Sequence, residues 1–314
     1  MRRLHANLLL LMAALIWGVT FSLQQMAMAH IGPAYFTGLR FALGAMVLVP
    51  LAVWEVRKLR EQKHAQAQHA QVHWHLGRFH VVGLIATGCA LFMGAWLQQV
   101  GIASTTVANA GFLTALYVPL TPVLALIFLR RPPHPAIWPA AAACLGGAYL
   151  MAGGSLDVMR DGDLWVVAGA LFWALHILLV GVMSMRTGAP FLVSCVQFTV
   201  CGVLGLTLGG VTESLTWDGV MGALPMIAFA GLFSTAVGFT LQVVGQRHTP
   251  AADAAVILSA ETVFAALAGA MLLGERLGML ELTGGALILA GVLAVELLPL
   301  WARQRARARA EVRE

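Results

Sequence analysis

The sequence predicts an all-α integral membrane protein with ten transmembrane helices in two inverted five-helix repeats and with both termini in the cytoplasm. Three observations predict this fold: an extremely apolar composition, the spacing of the apolar segments, and a weak internal repeat. Of the 314 residues, 60% are hydrophobic and 11% are charged. Soluble domains carry about 25% charged residues, so the composition argues against a soluble enzyme and excludes a disordered or fibrous protein.

Ten apolar segments each have roughly the 20 residues that cross a bilayer as a helix. They are residues 7–28, 34–54, 79–100, 105–129, 136–153, 164–185, 191–211, 221–245, 251–274 and 280–301. The two arginines before the first segment would also fit a signal peptide, but similar apolar segments follow all along the chain. We therefore interpret residues 7–28 as the first membrane span.

The distribution of basic residues indicates the orientation of these spans, because cytoplasmic loops hold an excess of Lys and Arg. With the N-terminus inside, sixteen of the 19 Lys and Arg residues are cytoplasmic, two are external and Arg40 lies in the membrane. We expect a multi-pass protein of the plasma or inner membrane with cytoplasmic N- and C-termini. The net charge of +5 then reflects topology and contact with lipid, and no nucleic-acid partner is expected.

A weak internal repeat relates the two halves of the chain. A shift of 144 residues places Gln98 on Gln242 and Gly101 on Gly245. Further upstream the shift becomes 156 or 157, which places Trp17 on Trp173 and Arg40-Phe41 on Gln197-Phe198. The halves are predicted to be residues 1–153 and 164–302, with an external linker at 154–163 and a basic cytoplasmic tail at 303–314. Because five spans is an odd number, the second half enters the membrane inverted, an arrangement that suits alternating access around a midplane site.

Several strings carry a family resemblance. They are AALIWGVTFS in the first span, LRFALGA in the second, ANAGFLTALYVPLTPVLALIFL in the fourth and AAVILSAETVFAALAGAMLLGERLG in the ninth. Over nearly the whole chain they resemble the ten-helix EamA-type family of the drug/metabolite transporter superfamily. The resemblance implies a carrier without cofactors that exports or imports an amino acid, another metabolite or a drug through a cavity lined by both halves. The first half departs from the pattern, because Arg130-Arg131 stand where the second half has Gly274-Glu275.

Ionisable side chains inside membrane spans are candidate functional groups, because burying charge in lipid is costly. Glu261 lies near the middle of the ninth span, and the repeat places Tyr117 at the equivalent position of the fourth. Glu261 is the candidate for proton coupling or for pairing with a cationic substrate group; a hydrogen-bonded packing role is the alternative. His176, mid-span in the sixth, is either a cavity residue or a neutral imidazole bonded to a neighbouring helix.

Other residues are candidates for gating or structure. Arg40 is expected to form a structural or gating pair near the outer end of the second span, with substrate contact as the alternative. Asp253 follows Pro250 at the start of the ninth span, where a carboxylate stabilises the first turn of a helix. Glu296 lies near a cytoplasmic end and is expected to contact basic groups. Pro119 and Pro122 are expected to kink the fourth span and could act as a hinge.

Aromatic and polar residues supply the predicted substrate cavity. Trp17 and Trp173 occupy equivalent mid-span positions, away from the interfaces where tryptophan usually anchors. The polar candidates are Ser22, Gln98, Asn109, Thr114, Ser234 and Gln242. Packing of the tryptophans and hydrogen bonding between helices would explain these residues equally well.

Alternative functions are less well supported by the sequence. The loop with His64, His69, His73, His75 and His80 suggests metal sensing, but neither Cys nor an intramembrane cluster of carboxylates and His accompanies it. No nucleophile or metal motif of an intramembrane enzyme is present, and a channel would not explain the inverted halves. The favoured function is a secondary transporter of a small organic metabolite, with efflux preferred and proton coupling left open; a metal-responsive or multidrug carrier is the alternative.

Overall fold

The computed structural model describes residues 3–66, 76–105, 107–130, 132–154, 161–273 and 278–311. All regular secondary structure in these ranges is helical. The helices are α1 (Arg3–Ala27), α2 (Pro33–Gln66), α3 (Arg78–Ile102), α4 (Val107–Thr114), α5 (Tyr117–Leu129), α6 (Ile137–Met151), α7 (Asp161–Thr187), α8 (Pro190–Thr212), α9 (Trp217–Phe229), a π-helix (Ala230–Phe239), α10 (Thr240–Gln246), α11 (Ala251–Leu258), α12 (Glu261–Leu273) and α13 (Met279–Glu311).

Eight helical segments of the described chain are long and apolar enough to cross a membrane. Two shorter apolar helices, Ile137–Met151 and Met279–Val295, lie where the fifth and tenth spans are predicted. Large apolar side chains cover the outside of the bundle, with Met46, Phe128 and Leu164 each more than 60% exposed. Such a surface suits lipid rather than water, and the chain is an integral, multi-pass membrane protein.

Helices α2 and α8 run antiparallel, and a carboxylate in or just after each helix lies at the first turn of the other. The Glu213 carboxylate, just after α8, accepts hydrogen bonds from the backbone amides of Ala34 and Tyr35 at 2.8 and 3.0 Å. At the opposite end, the Glu55 carboxylate of α2 accepts one from the Leu192 amide at 2.9 Å. These carboxylates satisfy amides that lack partners within their own helix, so the pair is capped reciprocally.

Glycines allow close packing of helices at equivalent places in the two halves. A Cβ at Gly101 would lie 2.7 Å from the Gly162 carbonyl oxygen, and a Cβ at Gly245 would lie 2.9 Å from the Ala6 carbonyl oxygen. Gly245 follows Gly101 by 144 residues and Gly162 follows Ala6 by 156, the two shifts of the sequence repeat. The α3–α7 contact thus has a counterpart between α10 and α1.

The same correspondence holds between α6 and α13. A Cβ at Gly147 would lie 2.5 Å from the Gly284 carbonyl oxygen, and a Cβ at Gly291 would lie 2.9 Å from the Ala140 carbonyl oxygen. Gly291 and Gly284 follow Gly147 and Ala140 by 144 residues each. Small residues let helix backbones approach closely in lipid, so α6 packs tightly against the first part of α13.

The predicted fourth and ninth spans are each interrupted, whereas the sequence predicts a kink in the fourth span only. The fourth divides between Thr114 and Tyr117, and the ninth divides between Leu258 and Glu261. At the two breaks a backbone amide bonds to the oxygen three residues earlier instead of four. The Leu116 amide donates to the Leu113 oxygen at 3.3 Å, and the Ala260 amide donates to the Ile257 oxygen at 3.2 Å. The two interruptions are 144 residues apart, as the repeat requires.

Prolines follow one of these two interruptions but not the other. Pro119 lies in the first turn of α5, where no intrahelical donor is needed, and Pro122 lies within α5. A proline cannot donate to the carbonyl oxygen four residues before it; for Pro119 this is the Ala115 oxygen, which instead accepts from the Val118 amide at 2.9 Å. The break beside Tyr117 thus lies where a kink at Pro119 is expected, and that kink stays a prediction. The matching break around Ser259 has no proline within it or directly after it, so proline is not its cause.

The eighth span departs from regular α-helix. Its middle ten residues, Ala230–Phe239, form a π-helix between α9 and α10. A π-helical insertion shifts the side chains that follow it around the helix axis, and such insertions are common at functional sites. Ser234 and Phe239 of this segment face the centre of the bundle.

Candidate functional site

A narrow cavity of about 40 Å³ lies at the centre of the bundle. It is lined by Trp17, Phe21, Gln24, Arg40, Gln98, Thr114, Tyr117, Trp173, Ile177, Ser234, Phe239, Gln242, Leu258 and Glu261. This volume accommodates ordered water, whereas pockets for organic ligands enclose roughly 300 Å³ or more. Binding of an organic molecule therefore requires the surrounding helices or side chains to move apart.

The lining brings together many of the residues that the sequence proposes for a cavity. Eight of the eleven candidates contribute to it: Trp17, Gln98, Thr114, Tyr117, Trp173, Ser234, Gln242 and Glu261. Ser22, Asn109 and His176 do not line this cavity. Sequence reasoning missed Phe21, Gln24, Ile177, Phe239 and Leu258. A helical spacing of four residues from Trp17 and Trp173 could have indicated Phe21 and Ile177. Phe239 lies five residues after Ser234, a spacing that an α-helical pattern does not indicate.

Tyr117 and Glu261 meet across the cavity from the two interrupted spans. Each is the first residue of the helix that follows its break. The Tyr117 hydroxyl donates a hydrogen bond of 3.2 Å to Glu261 Oε1, and both side chains are largely buried. Helix breaks near the middle of the membrane are a feature of substrate and ion sites in transporters. The breaks thus place a carboxyl group and a phenol at the junction of the two halves.

Trp17 and Trp173 form equivalent walls of the cavity. Trp17 packs on Gly238, where a Cβ would lie 2.7 Å from the indole nitrogen, and Trp173 packs on Gly94, where a Cβ would lie 3.1 Å from the indole ring. Phe239 lies between the two indoles, 4.6 Å from Trp17 and 5.9 Å from Trp173 between ring centroids. Aromatic walls are typical of sites for small organic ligands.

The polar groups of the lining are incompletely hydrogen-bonded within the described residues. Gln98 Nε2 donates to Thr114 Oγ1 at 2.8 Å, and Trp17 Nε1 donates to the Ser234 carbonyl oxygen at 3.1 Å. By contrast, Gln242 Oε1 and Trp173 Nε1 are buried without a partner among the described residues. Buried polar atoms normally have a partner, so these two could serve a bound molecule.

Arg40 contributes a buried cation to the cavity. Its side chain is 2% exposed, and its guanidinium carbon lies 4.9 Å from the centre of the Phe41 ring and 5.4 Å from that of Phe36. The ion pair expected for Arg40 is not found among the described residues, where the one ion pair joins Arg3 and Asp253. Arg40 thus faces the bundle centre rather than the outer membrane interface.

His176 lies behind the cavity wall. Its Nε2 is 2.8 Å from Gln197 Oε1, and its ring meets those of Trp173 and Phe239 edge to face. Gln197 is the repeat counterpart of Arg40. The contact with Gln197 matches the predicted alternative of an imidazole bonded to a neighbouring helix.

A second, larger cavity of about 670 Å³ opens at the end of the bundle where α1 begins and α7 ends. Arg3, His134, Arg247, His248 and Asp253 are its charged or titratable residues. Desolvation, together with the neighbouring Arg247, lowers the pKa of His248 and favours its neutral form. Two arginines, Arg3 and Arg247, face one carboxylate, Asp253, in this second cavity, which we call the vestibule.

About one helical turn separates the vestibule from the central cavity. Gln242 lines the central cavity and Gln246, four residues later, lines the vestibule, a rise of about 6 Å along a helix. Gln246 Nε2 donates a hydrogen bond of 2.9 Å to the Ile177 carbonyl oxygen. This contact joins α10 to α7 across the layer between the two spaces.

Asp253 lies in the first turn of α11 and pairs with Arg3 at the start of α1. Nearby, Thr249 Oγ1 donates to Asn7 Oδ1 at 2.5 Å. The repeat equivalents of these two residues also bond to each other, with Thr105 Oγ1 donating to Asp163 Oδ1 at 2.5 Å. The vestibule thus ends in a polar cluster that ties the beginning of α1 to α11.

Several sequence predictions lie outside the described residues. His69, His73, His75 and the Gly274-Glu275-Arg276 string fall there, as do the side chains of His64, Glu296 and the C-terminal tail. His80 is described, and its ring lies 5.8 Å from that of Phe79. No group of three or more His, Cys, Asp or Glu side chains that could hold a metal occurs within the described ranges.

The fold and the central cavity define a class of protein: a polytopic membrane protein with a polar site enclosed by its helices. A family model described as the EamA-like transporter family matches residues 4–153 and again residues 160–297. The chain belongs to this family. Its two matches divide the sequence at the predicted linker.

Known relatives agree with this assignment. The chain is 29% identical over 297 residues to an uncharacterized transporter from Archaeoglobus fulgidus, covering 94% of this chain and 87% of the relative. It is 28% identical to the uncharacterized transporter YwfM of Bacillus subtilis, covering 93% and 94% of the two chains. A protein of known crystal structure has the same fold, with a TM-score of 0.73, 18% identity and coverage of 95% of this chain and 98% of the other.

Proposed function

We propose that this protein is a secondary transporter that moves a small organic solute, an amino acid, related metabolite or drug, across the plasma or inner membrane by alternating access. Efflux is the proposed direction. The observation that carries the proposal is the central cavity, where repeat-equivalent residues of the two halves meet: Tyr117 with Glu261, and Trp17 with Trp173 around Phe239.

We propose further that the two halves are inverted repeats. Contacts related by the shifts of 144 and 156 support this arrangement. The packing of Gly101 on Gly162 corresponds to that of Gly245 on Ala6. The hydrogen bond between Thr105 and Asp163 corresponds to the one between Thr249 and Asn7. Two similar halves can exchange conformations around a shared site, which exposes the site alternately to the two sides. Ten spans with both termini in the cytoplasm follow if Ile137–Met151 and Met279–Val295 also cross the membrane.

The two cavities suggest how access alternates. The central cavity is too narrow for an organic ligand, whereas the vestibule is open and is separated from it by about one helical turn. Under the proposed topology the vestibule faces the cytoplasm, because α1 begins there. Separation of α7 from α10 at the Gln246–Ile177 contact would join the two spaces and admit the solute.

Glu261 is the proposed coupling residue. Its carboxyl group is buried in the membrane interior, lines the cavity and accepts a hydrogen bond from Tyr117. A carboxyl group at such a place binds a proton when it is shielded from water and releases it when one face opens. Proton movement through Glu261 would then drive transport of the solute.

Reconstitution tests the proposal. Purified protein in liposomes is given a mixed pool of amino acids, metabolites and cationic drugs, with and without a pH gradient, and retained solutes are measured by mass spectrometry. Saturable uptake and counterflow of particular solutes, absent from protein-free liposomes, are expected of a carrier. Non-saturable flux would indicate a channel instead, and chemical conversion of a solute would indicate an enzyme.

Variants separate coupling from transport. Glu261→Gln should still bind solute but should lose the response to the pH gradient, because the amide cannot exchange a proton. Glu281→Gln is the matched control, since Glu281 lies in the first turn of α13 and does not line the cavity. If the Glu261→Gln protein responds to the gradient as the wild type does, proton coupling through Glu261 is wrong.

A further inference from the structure

Arg40 is a cation in the membrane interior without a described counter-ion. The side chain is 2% exposed, and Nε is buried without a hydrogen-bond partner. Within the described residues, no hydrogen bond or ion pair involves the guanidinium. A buried charge in a membrane protein normally pairs with another group or faces a polar cavity, and Arg40 lines the central one.

The aromatic neighbours of Arg40 do not satisfy its donors. The Phe36 and Phe41 rings lie 5.4 and 4.9 Å from the guanidinium carbon, which is within reach of a cation–π interaction. That interaction stabilises the charge but accepts none of the five N–H groups in the usual hydrogen-bonding sense. Donors in a planar fork therefore remain for a ligand.

We propose that Arg40 binds the anionic group of the transported solute, and that the substrates of this transporter are organic monocarboxylates. The assignment rests on the proposed transport function. A carboxylate matches the guanidinium fork through two parallel hydrogen bonds. The indoles of Trp17 and Trp173 and the Phe239 ring enclose the rest of the molecule.

The charges of the lining select for a single negative group. Arg40 is the one Lys or Arg among the described residues that line the cavity, and Glu261 is the one carboxylic residue. One positive charge balances one carboxylate, whereas a phosphate dianion or a dicarboxylate would leave excess negative charge in a site that also holds Glu261. Monocarboxylates are therefore favoured over dianions.

The test compares acids with their neutral isosteres. The reconstituted pool contains amino, hydroxy, keto and aromatic monocarboxylic acids, each with its carboxamide, and matching dicarboxylic acids. We expect the wild type to prefer an acid over its amide by roughly ten- to hundredfold in uptake efficiency, the range for a charge-assisted bidentate contact. Transport of amides or cations as efficient as that of the acids would overturn the assignment without needing any variant.

Variants of Arg40 provide an independent readout. Arg40→Gln should abolish the preference for acid over amide, mainly through KM for the acid, while uptake of the amide persists and shows that the protein is folded. Arg40→Lys should keep part of the preference. Arg186→Gln is the matched control, because Arg186 also lies 5.4 Å from a phenyl ring, that of Phe79, but lines neither cavity. A substrate preference unchanged in folded Arg40→Gln would assign Arg40 a structural role.

Thermal stability in detergent separates failure of this assignment from failure of the transport function. If acids but not amides raise the melting temperature of wild-type protein and no solute crosses the bilayer, the anion site stands and the carrier function is wrong. If solutes are carried but none bears a carboxylate, the carrier function stands and the Arg40 assignment is wrong. If Arg40→Gln does not fold, the comparison of acid with amide in the wild-type protein still tests whether the substrates are monocarboxylates.

Discussion

The hydrogen bond from Tyr117 to Glu261 joins two positions that occupy the same place in the two halves of the chain. They are 144 residues apart and each begins the helix after a break. Equivalent residues of two halves related by a twofold axis can touch each other only near that axis. Phe41 and Phe198 are a second such pair, with ring centroids 5.8 Å apart.

Loss of the Tyr117 hydroxyl should change the proton site without removing it. In Tyr117→Phe the Glu261 carboxyl loses its described hydrogen-bond donor, so its ionised form is less stable. We expect the pH at which gradient-driven uptake is half-maximal to rise, while maximal uptake changes by less than about tenfold. Uptake at graded external pH checks this, and a pH profile identical to wild type would contradict it.

Glycine at 238 should be required for the position of Trp17. A Cβ in Gly238→Ala would lie 2.7 Å from Trp17 Nε1, so the indole must move and its bond to the Ser234 oxygen is lost. We expect uptake to fall by roughly tenfold or more. Gly94→Ala should be milder, since its Cβ would lie 3.1 Å from Trp173. Gly146→Ala, with no atom within 4 Å, is the control and should retain wild-type uptake.

The reciprocal caps should contribute to stability rather than to selectivity. Glu213→Ala leaves the amides of Ala34 and Tyr35 without that acceptor, and Glu55→Ala does the same for Leu192. Each change should lower the free energy of unfolding by roughly 1–2 kcal/mol. Melting temperatures in detergent measure the effect, and the order of solute preference should stay as in wild type. A change in that order would show that the α2–α8 pair also shapes the site.

The ion pair between Arg3 and Asp253 should restrict movement at the vestibule. Arg3→Gln should raise the rate of counterflow by about two- to fivefold, the effect of losing a partly exposed pair. The double variant Arg3→Asp with Asp253→Arg should return the rate towards wild type. A double-mutant cycle decides between the two outcomes, because additive effects would mean that the pair does not couple α1 to α11.

The proposed topology is open to direct labelling. In a background with Cys89, Cys144, Cys195 and Cys201 replaced by Ala, a cysteine at Ser214 should react with a membrane-impermeant maleimide on intact cells. A cysteine at Gln62 should react only after permeabilisation. Both positions are exposed in the structure. The reverse pattern would place the vestibule outside and would invert the proposed orientation.

The sequence predicts most of the helices because apolar runs of about 20 residues report membrane spans directly. It also predicts Tyr117 and Glu261 as equivalents, because the repeat register is visible around them. It could not predict the break after Leu258, which no proline marks and which depends on how the backbone turns. Nor could it place Arg40 in the cavity, since its direction depends on the packing of α2 against α8.

The cavity residues that the sequence analysis missed are of common types that no local pattern distinguishes. Phe239 is one of 14 phenylalanines, and nothing in its neighbourhood marks it as a wall between two indoles. The π-helix that contains it has no proline of its own. Its effect on side-chain direction becomes visible only once the backbone is known.

Because Glu213 caps α2, the order in which the chain is synthesised limits when α2 can reach its final state. Helix α2 is translated about 180 residues before the group that caps its first turn, so a ribosome must extend the second half as far as Glu213 before the second helix reaches its final state. Until then the nascent first half presents bare amides and the glycine face around Gly38 to lipid and to the insertion machinery. Separately expressed halves should therefore mature only when produced together in one cell.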